Sequence, residues 1–235
     1  MKILGIDTSA TAASVAIVDE NKIIGEFSIN TALTHSQTLM PMVESLLKNT
    51  GVTLTDIDAI AVNAGPGSFT GVRIGVAAVK GMAFSSDIPC LSVSTLHSMA
   101  YNLLETDCIV CAVMDARCSQ VYNALFKVSN GKVTRLIEDR ALALQDLKLD
   151  LQKYDEKIIL VGDGAVITYE YLKDEYENIV LASKNNRIQT ASSVAVAGYE
   201  LFEKGETMTA AQLMPVYLRL PQAQRELNKK LGVKV

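Results

Sequence analysis

The stretch KILGIDTSATAASVAIVDENKIIGEFSI, residues 2–29, decides the fold. Three short apolar runs, 2–7, 14–18 and 22–29, alternate with two polar turns, TSATAA and Asp19-Glu20-Asn21. Runs of this length bounded by turn residues are strands, and turns this short join antiparallel neighbours. The period then changes. In HSQTLMPMVESLLKNTG, Leu39, Val43, Leu46 and Leu47 recur at helical spacing, with Gly51 placed to cap the C-terminus. Pro41 must stand near the first turn or kink this helix. Residues 57–64, IDAIAVNA, are a continuous apolar run of the kind covered on both faces of a parallel sheet. GPGSFTG is a glycine-rich turn, VRIGVAAVKGMAFSS a second helix and IPCLSVST a returning strand. The order is βββαβαβ.

The second half repeats that order as pattern rather than as identity. CIVCAVMDA, QVYNALFKV and GKVTRLIED read as three strands, with Ser129-Asn130-Gly131 as a hairpin turn. DLKLDLQKY is helical, KIILVGDGA a buried strand, ITYEYLKDEY helical, ENIVLAS a strand and ASSVAVAGYELFEKG an amphipathic helix. The boundary falls near Leu103–Asp107 without a low-complexity linker. The expectation is a duplicated α/β fold: a first lobe over 1–103, and a degenerate second lobe over 104–235 with a basic tail, tightly packed together.

Composition narrows the function. Of 235 residues, 49% are apolar and 20% charged, enough for a large core and too apolar for disorder. The net charge of −4 argues against stand-alone binding to nucleic acid or anionic membrane. No apolar run approaches the roughly 20 residues of a membrane span, and MKILGIDTSA reads as a first strand, not a signal peptide. Cys108 and Cys111 form a CxxC, but in a strand they fall on opposite faces, and no second CxxC completes a zinc site.

A duplicated βββαβαβ unit resembles the actin-like ATPase (ASKHA) plan, with GIDTSATAASVAIVD like its first phosphate hairpin. GPGSFTGVRIGV followed by VSTLHSMA, together with THSQTLMPMVESLL and VMDAR, is more specific. These motifs resemble the bacterial tRNA threonylcarbamoyladenosine biosynthesis family TsaB, also called YeaZ, whose older label is glycoprotease-like or peptidase M22-like. The likeness is strong from Met1 to about Arg117 and weaker to LMPVYLR at 213–219. It implies a cytoplasmic, non-catalytic subunit of the assembly that places a threonylcarbamoyl group on adenosine 37 of tRNAs reading ANN codons. The implied partners are the catalytic paralogue TsaD and the ATPase TsaE, with a homodimer when alone and tRNA contacted at most indirectly.

The residues agree with an absence of catalytic equipment. The paralogue carries a metal-binding HxxxH pair, whereas the two histidines here, His35 and His97, lie far apart in sequence. His35 reads as a helix-start residue beside Thr34 or Ser36 as cap. No metal and no cofactor are expected. Asp7, Thr8 and Ser9 survive as a vestigial first phosphate loop, with Asp7 able to hold Mg²⁺ through water and the hydroxyls able to meet phosphate. The matching hairpin of the second lobe, Met114 to Gln120, has no glycine, so β-carbons crowd the place where phosphates would lie. Asp115 and Arg117 then pair with each other or a partner. The Gly65, Gly67 and Gly71 turn reads as loop geometry, with Ser68 or Thr70 capping the next helix, rather than as an anion cradle. No GxSxG occurs, and Asp56 and Asp58 sit in a surface turn. The tail carries Arg219, Arg225, Lys229, Lys230 and Lys234, at most a minor electrostatic contact to tRNA. The competing readings are a glycoprotease-like hydrolase or autonomous ATPase, and a self-associating protein with a separate role.

Surplus apolar surface marks the partner site. Val72, Val76, Val79 and Ala83 make one stripe of the second helix, and Ile74, Ala78 and Met82 a neighbouring one, with Gly71, Gly75 and Ala78 small enough to admit another helix. The first helix has Met40 and Leu47 to spare beyond Leu39, Val43 and Leu46. Helices 36–48 and 71–84 are therefore the expected interface, unless loops or the helix at 191–204 cover them.

Overall fold

The structure is a computed structural model that describes residues 1–31 and 33–219. Its first half runs β1 (Lys2–Asp7), β2 (Ala13–Asp19), β3 (Ile23–Ile29), α1 (His35–Thr50), β4 (Ala59–Gly65), α2 (Phe69–Ser86) and β5 (Cys90–Ser94). A short helix α3 (Thr95–Ala100) leads to the second half: β6 (Cys108–Asp115), β7 (Gln120–Ser129), β8 (Lys132–Ala143), α4 (Leu144–Leu151), β9 (Ile158–Val161), α5 (Ala165–Leu172), β10 (Ile179–Leu181) and α6 (Ala191–Glu203). The sheets have the same topology, β3-β2-β1-β4-β5 and β8-β7-β6-β9-β10. In each, the first three strands are antiparallel and the last two add in parallel. The chain is thus the duplicated βββαβαβ of the actin-like ATPase fold.

Local chemistry explains the boundaries. Thr34 precedes α1, its backbone N–H donating to Gln37 Oε1 at 3.4 Å, and Gly51 closes the helix at φ 67°. Pro41 lies in the second turn, past the first, where its missing N–H costs one helical bond. Ser68 accepts from Gly71 N–H and starts α2. The sequence reading missed α3. Ser94 ends β5 and its hydroxyl caps the next helix through His97 N–H, so one residue serves two elements and no loop signal separates them.

Four apolar clusters stack the elements in five layers. Leu4, Ile6, Val15, Ile17, Ile60 and Val62 face α1 and α2. Ile3, Ala59, Ala61, Leu91 and Val93, on the other side of the first sheet, face Val194, Ala195 and Ala197 of α6. The inner face of the second sheet, with Val110, Ala112 and Phe126, takes Leu96, Met99 and Ala100 of α3. Its outer face takes Leu144, Leu147, Leu151 and Leu172 of α4 and α5. Cys108 and Cys111 fall in the inner and outer clusters respectively, on opposite faces as strand alternation requires.

Helix α6 corrects the simple division at 103. Though it lies in the second half of the chain, it packs on β1, β2 and β4 of the first sheet. Residues 104 onward therefore do not form a self-contained second lobe. Nor does α6 cover the outer faces of α1 and α2, because it sits across the sheet from them. Its N-terminus is tied to β3 by Glu26, whose carboxylate accepts from Ser192 N–H and Oγ at 3.0 Å each, a favourable place for negative charge. Gly5 makes the close approach possible, since a β-carbon there would lie 2.2 Å from the Ala191 carbonyl oxygen.

Two measurements follow from this packing. Gly5→Ala should cost about 1–3 kcal/mol of stability, because backbone rather than a flexible side chain blocks the new methyl; denaturant unfolding reads it, and an unchanged midpoint would contradict the close contact. His97 is stacked on Phe126 with centroids 5.3 Å apart and meets Tyr101 edge-on. Burial, with Arg135 nearby, lowers its pKa to about 4, against a weaker opposing pull from Asp139. The unfolded chain then binds the extra proton between pH 4 and the ordinary 6.5, so His97 makes stability fall as pH drops through that window. His97→Gln should flatten the thermal midpoint between pH 7 and 4 relative to wild type.

Candidate functional site

The carboxyl ends of β1 and β4 in the first sheet, and of β6 and β9 in the second, open on one interlobe cleft of about 440 Å³. Crevices at the carboxyl ends of parallel strands are where such sheets bind ligands. Ser9, Gly67, Ser68 and Phe69 form one wall, Asp115, Arg117 and Asp163 the other, and Val216 to Arg219 a third side.

On the first wall, the expected phosphate residues are committed elsewhere. Thr8 is fully buried and donates its hydroxyl to the Gly71 carbonyl at 2.8 Å. Ser68 N–H donates to the Ser9 carbonyl at 2.7 Å. A β-carbon on Gly71 would lie 2.1 Å from Thr8 O, and one on Gly75 2.4 Å from Thr8 Oγ1. These glycines are therefore required by the β1–β2 loop pressed onto α2, and they are not open to an approaching partner helix. Asp7 is buried and accepts from Ser9 N–H at 2.9 Å and Asn63 Nδ2 at 3.0 Å. Loss of solvent pushes its carboxyl above the usual range despite those bonds. Ser9 Oγ and Asn63 Oδ1 are buried without a partner among the described residues. Asn63 was missed from sequence; the signal is one amide inside an otherwise apolar strand. His35 does open α1, and its ring Nε2 lies 2.9 Å from the Ala10 carbonyl, fastening the same loop.

The second wall is a tight hairpin. Arg117, Cys118 and Ser119 all take left-handed backbone, with φ of 66°, 54° and 55°. Each such non-glycine residue is strained. Asp115 accepts from Arg117 N–H at 2.7 Å and pairs with its guanidinium at 3.5 Å, which is 82% exposed. The two thus pair with each other, an exposed contact of small energetic weight. Asp163 stands at the rim: water reaches it, yet the crowding of protein around it and the charge of Asp115 push its carboxyl up.

The expected interface divides. Met40 is 45% exposed, while Leu47, Ile74 and Ala78 are half-buried and pack against the edge of the first-sheet core. Met82 is buried, as are Gly71 and Gly75, so these three face inward. Phe84, 85% exposed, was overlooked; it lies four residues after Lys80 on the outward helical face. The remaining sequence candidates are structural. Asp56 accepts from Thr53 and Asp58 from Lys2 N–H. Cys111 is pushed up to about 12 by burial, which makes it a poor nucleophile. Among the described residues no cluster of three His, Cys, Asp or Glu could hold a metal, and no helix is long and apolar enough to cross a membrane. Of the basic tail, Arg219 is described; Arg225, Lys229, Lys230 and Lys234 lie outside the described residues.

Comparison with known proteins gives a consistent set of relatives. The family model described as TsaD, tRNA N6-adenosine threonylcarbamoyltransferase, matches residues 23–227. The tRNA threonylcarbamoyladenosine biosynthesis protein TsaB of Bacillus subtilis is 35% identical over 95% of this chain and 96% of its own length. TsaB of Escherichia coli is 31% identical over 98% and 100%. Among solved structures, YeaZ from Pseudomonas aeruginosa superposes with a TM-score of 0.79 at 29% identity, over 92% of this chain and 99% of that one.

The buried carboxyl of Asp7 makes a prediction of its own. Its raised pKa means that the native state holds a proton more tightly than the unfolded chain, so stability is lost as pH rises from the ordinary value of 3.8 through the raised one. Asp7→Asn removes that loss, and its amide can donate to the unpartnered Asn63 Oδ1. The thermal midpoint at pH 7 should rise, with a flatter pH profile; a fall would show that the ionised carboxylate is itself needed for the fold.

Proposed function

This chain belongs to the TsaB family of tRNA threonylcarbamoyladenosine biosynthesis proteins, and on that premise we propose that it is a non-catalytic subunit supporting the threonylcarbamoyl transfer to adenosine in tRNA. The observation that carries this reading is the apolar surface left on α1 and α2: Met40 and Phe84 are exposed, and Leu47, Ile74 and Ala78, packed against the edge of the first-sheet core, stay half-exposed, while α6 occupies the opposite side of that sheet. Apolar side chains left exposed on neighbouring helices fit an interface. The catalytic paralogue TsaD is the proposed occupant, with TsaE joining that pair and a second copy of this chain taking the same face when TsaD is absent. The site of action is the cytoplasm.

The cleft supports the same reading. Thr8 is consumed by α2, Asp7 is disfavoured as an anion, and the 116–119 hairpin presents side chains in place of glycine N–H groups. Two carboxylates at the far wall have no imidazole beside them to complete a hydrolytic set.

Phe84→Glu places charge on the exposed face away from the core, and Ala78→Glu places it at the half-buried edge where Ala78 meets that core. Each should weaken association with TsaD, and self-association, by at least about tenfold in sedimentation, since burying an unpaired carboxylate costs well over 1.4 kcal/mol. Circular dichroism should remain that of the wild type. Unchanged affinity in both variants would place the interface elsewhere, and ATP turnover by the chain alone would refute the non-catalytic assignment.

A further inference from the structure

After α6, the chain does not simply end on the surface. Leu213 is fully buried in the first-lobe core, and Lys80 of α2 donates to the carbonyls of Ala211 and Leu213 at 3.3 and 2.9 Å. Val216 N–H then donates to the Ala64 carbonyl at 2.7 Å, extending the end of β4. Gly65 has φ 130°, and a β-carbon on it would lie 2.2 Å from Val216 O, so glycine is needed where this segment passes. Tyr217 lies against Phe69 with ring centroids 4.7 Å apart, and its hydroxyl accepts from Arg73 Nε at 2.7 Å. The Arg73 guanidinium covers Phe69 at 3.7 Å. Two residues on, Arg219 reaches the other lobe, donating to the Ala116 carbonyl at 3.1 Å. Ala116 is the last residue before the three left-handed positions of the hairpin.

We infer that Leu213–Arg219 is a strap that crosses the cleft from the first lobe to the second and keeps the 116–119 hairpin in its strained form. Strained backbone persists only where its surroundings hold it. Within the strap, the first lobe anchors Leu213 to Tyr217 and the second lobe is held through Arg219. The α3 and α6 layer keeps the sheets together, so release at either anchor relaxes the hairpin rather than parting the lobes. The inference does not depend on the partner assignment, although Arg73 and Lys80 place the strap's first anchor on α2.

The Arg117–Cys118 peptide bond reports the hairpin, because Arg117 is exposed and a trypsin target. Lys132–Val133, beyond the Asn130-Gly131 turn, reports general loosening in the same digest. In the full-length protein, Arg219→Ala and Tyr217→Ala should each speed cleavage after Arg117 roughly tenfold, the effect of losing one hydrogen bond to a charged group, with the rate after Lys132 unchanged. The double variant should be no faster than the faster single one, since one lost anchor already frees the strap. Hydrogen exchange at Cys118, Ser119 and Gln120 should rise in parallel. Tyr217→Phe, which loses only the Arg73 bond, gives a milder version that retains the fold. Cleavage after Arg117 that stays at the wild-type rate, or an equal rise at both sites, would overturn the strap.

Discussion

The contact of α6 with β1 is the constraint on which the rest depends. Each sheet keeps its own pair of helices on one face, α1 and α2 on the first and α4 and α5 on the second. Helix α6 then crosses back and fills the inner face of the first sheet, at a distance set by Gly5 and the Ala191 carbonyl. Glu26 holds its N-terminus, and α3 lies beside it against the second sheet. The interlobe layer is therefore made of α6 and α3 together. Where their coverage stops, at the carboxyl ends of the strands, the cleft opens.

The same duplicated plan equips the two walls of that cleft differently. The β1–β2 loop is drawn down onto α2 by small residues: Thr8 bonds Gly71, and the glycines at 71 and 75 leave no side chain between helix and loop. The β6–β7 loop meets only the start of α4, where Leu144 N–H donates to the Ser119 carbonyl at 3.2 Å. It turns by forcing Arg117, Cys118 and Ser119 into left-handed backbone, and Asp115 and Arg219 brace it. One hairpin is held by burial and the other by hydrogen bonds to its backbone, and the second kind is open to exchange with water.

Much of this was legible in the residues. The alternation of apolar runs and turn signals in 2–29 fixed a meander, and the change to helical spacing at Leu39 and Val43 marked α1. The repeat of that order after Cys108 disclosed the second sheet. The face of α2 that meets the sheet, Val72, Val76, Val79 and Ala83, also followed from spacing. What spacing cannot convey is contact between distant segments. Gly71 and Gly75 look alike whether they admit a partner helix or the chain's own loop, and only the position of Thr8 decides. Met82 lies on the same nominal stripe as Ala78 yet turns inward. The Val216–Arg219 segment has no periodicity at all, because a strap is held by single bonds to separate elements. Asn63 and Phe84 show the reverse case: each breaks its local pattern, and that break was a readable signal.

The return of α6 also bears on how the chain folds as it leaves the ribosome. The inner face of the first sheet, Ile3, Ala59, Ala61, Leu91 and Val93, is apolar and stays open to water until residues 191–203 have been synthesised. Pairing of β1 with β2 is local, but closing this face joins Gly5 to Ala191 across most of the chain. Such distant contacts form slowly, and uncovered apolar sheet in the interval favours aggregation. The amino-terminal half is therefore a nascent segment that depends on sequence near the far end, and a message cut short before α6 would leave an exposed sheet for chaperones to hold.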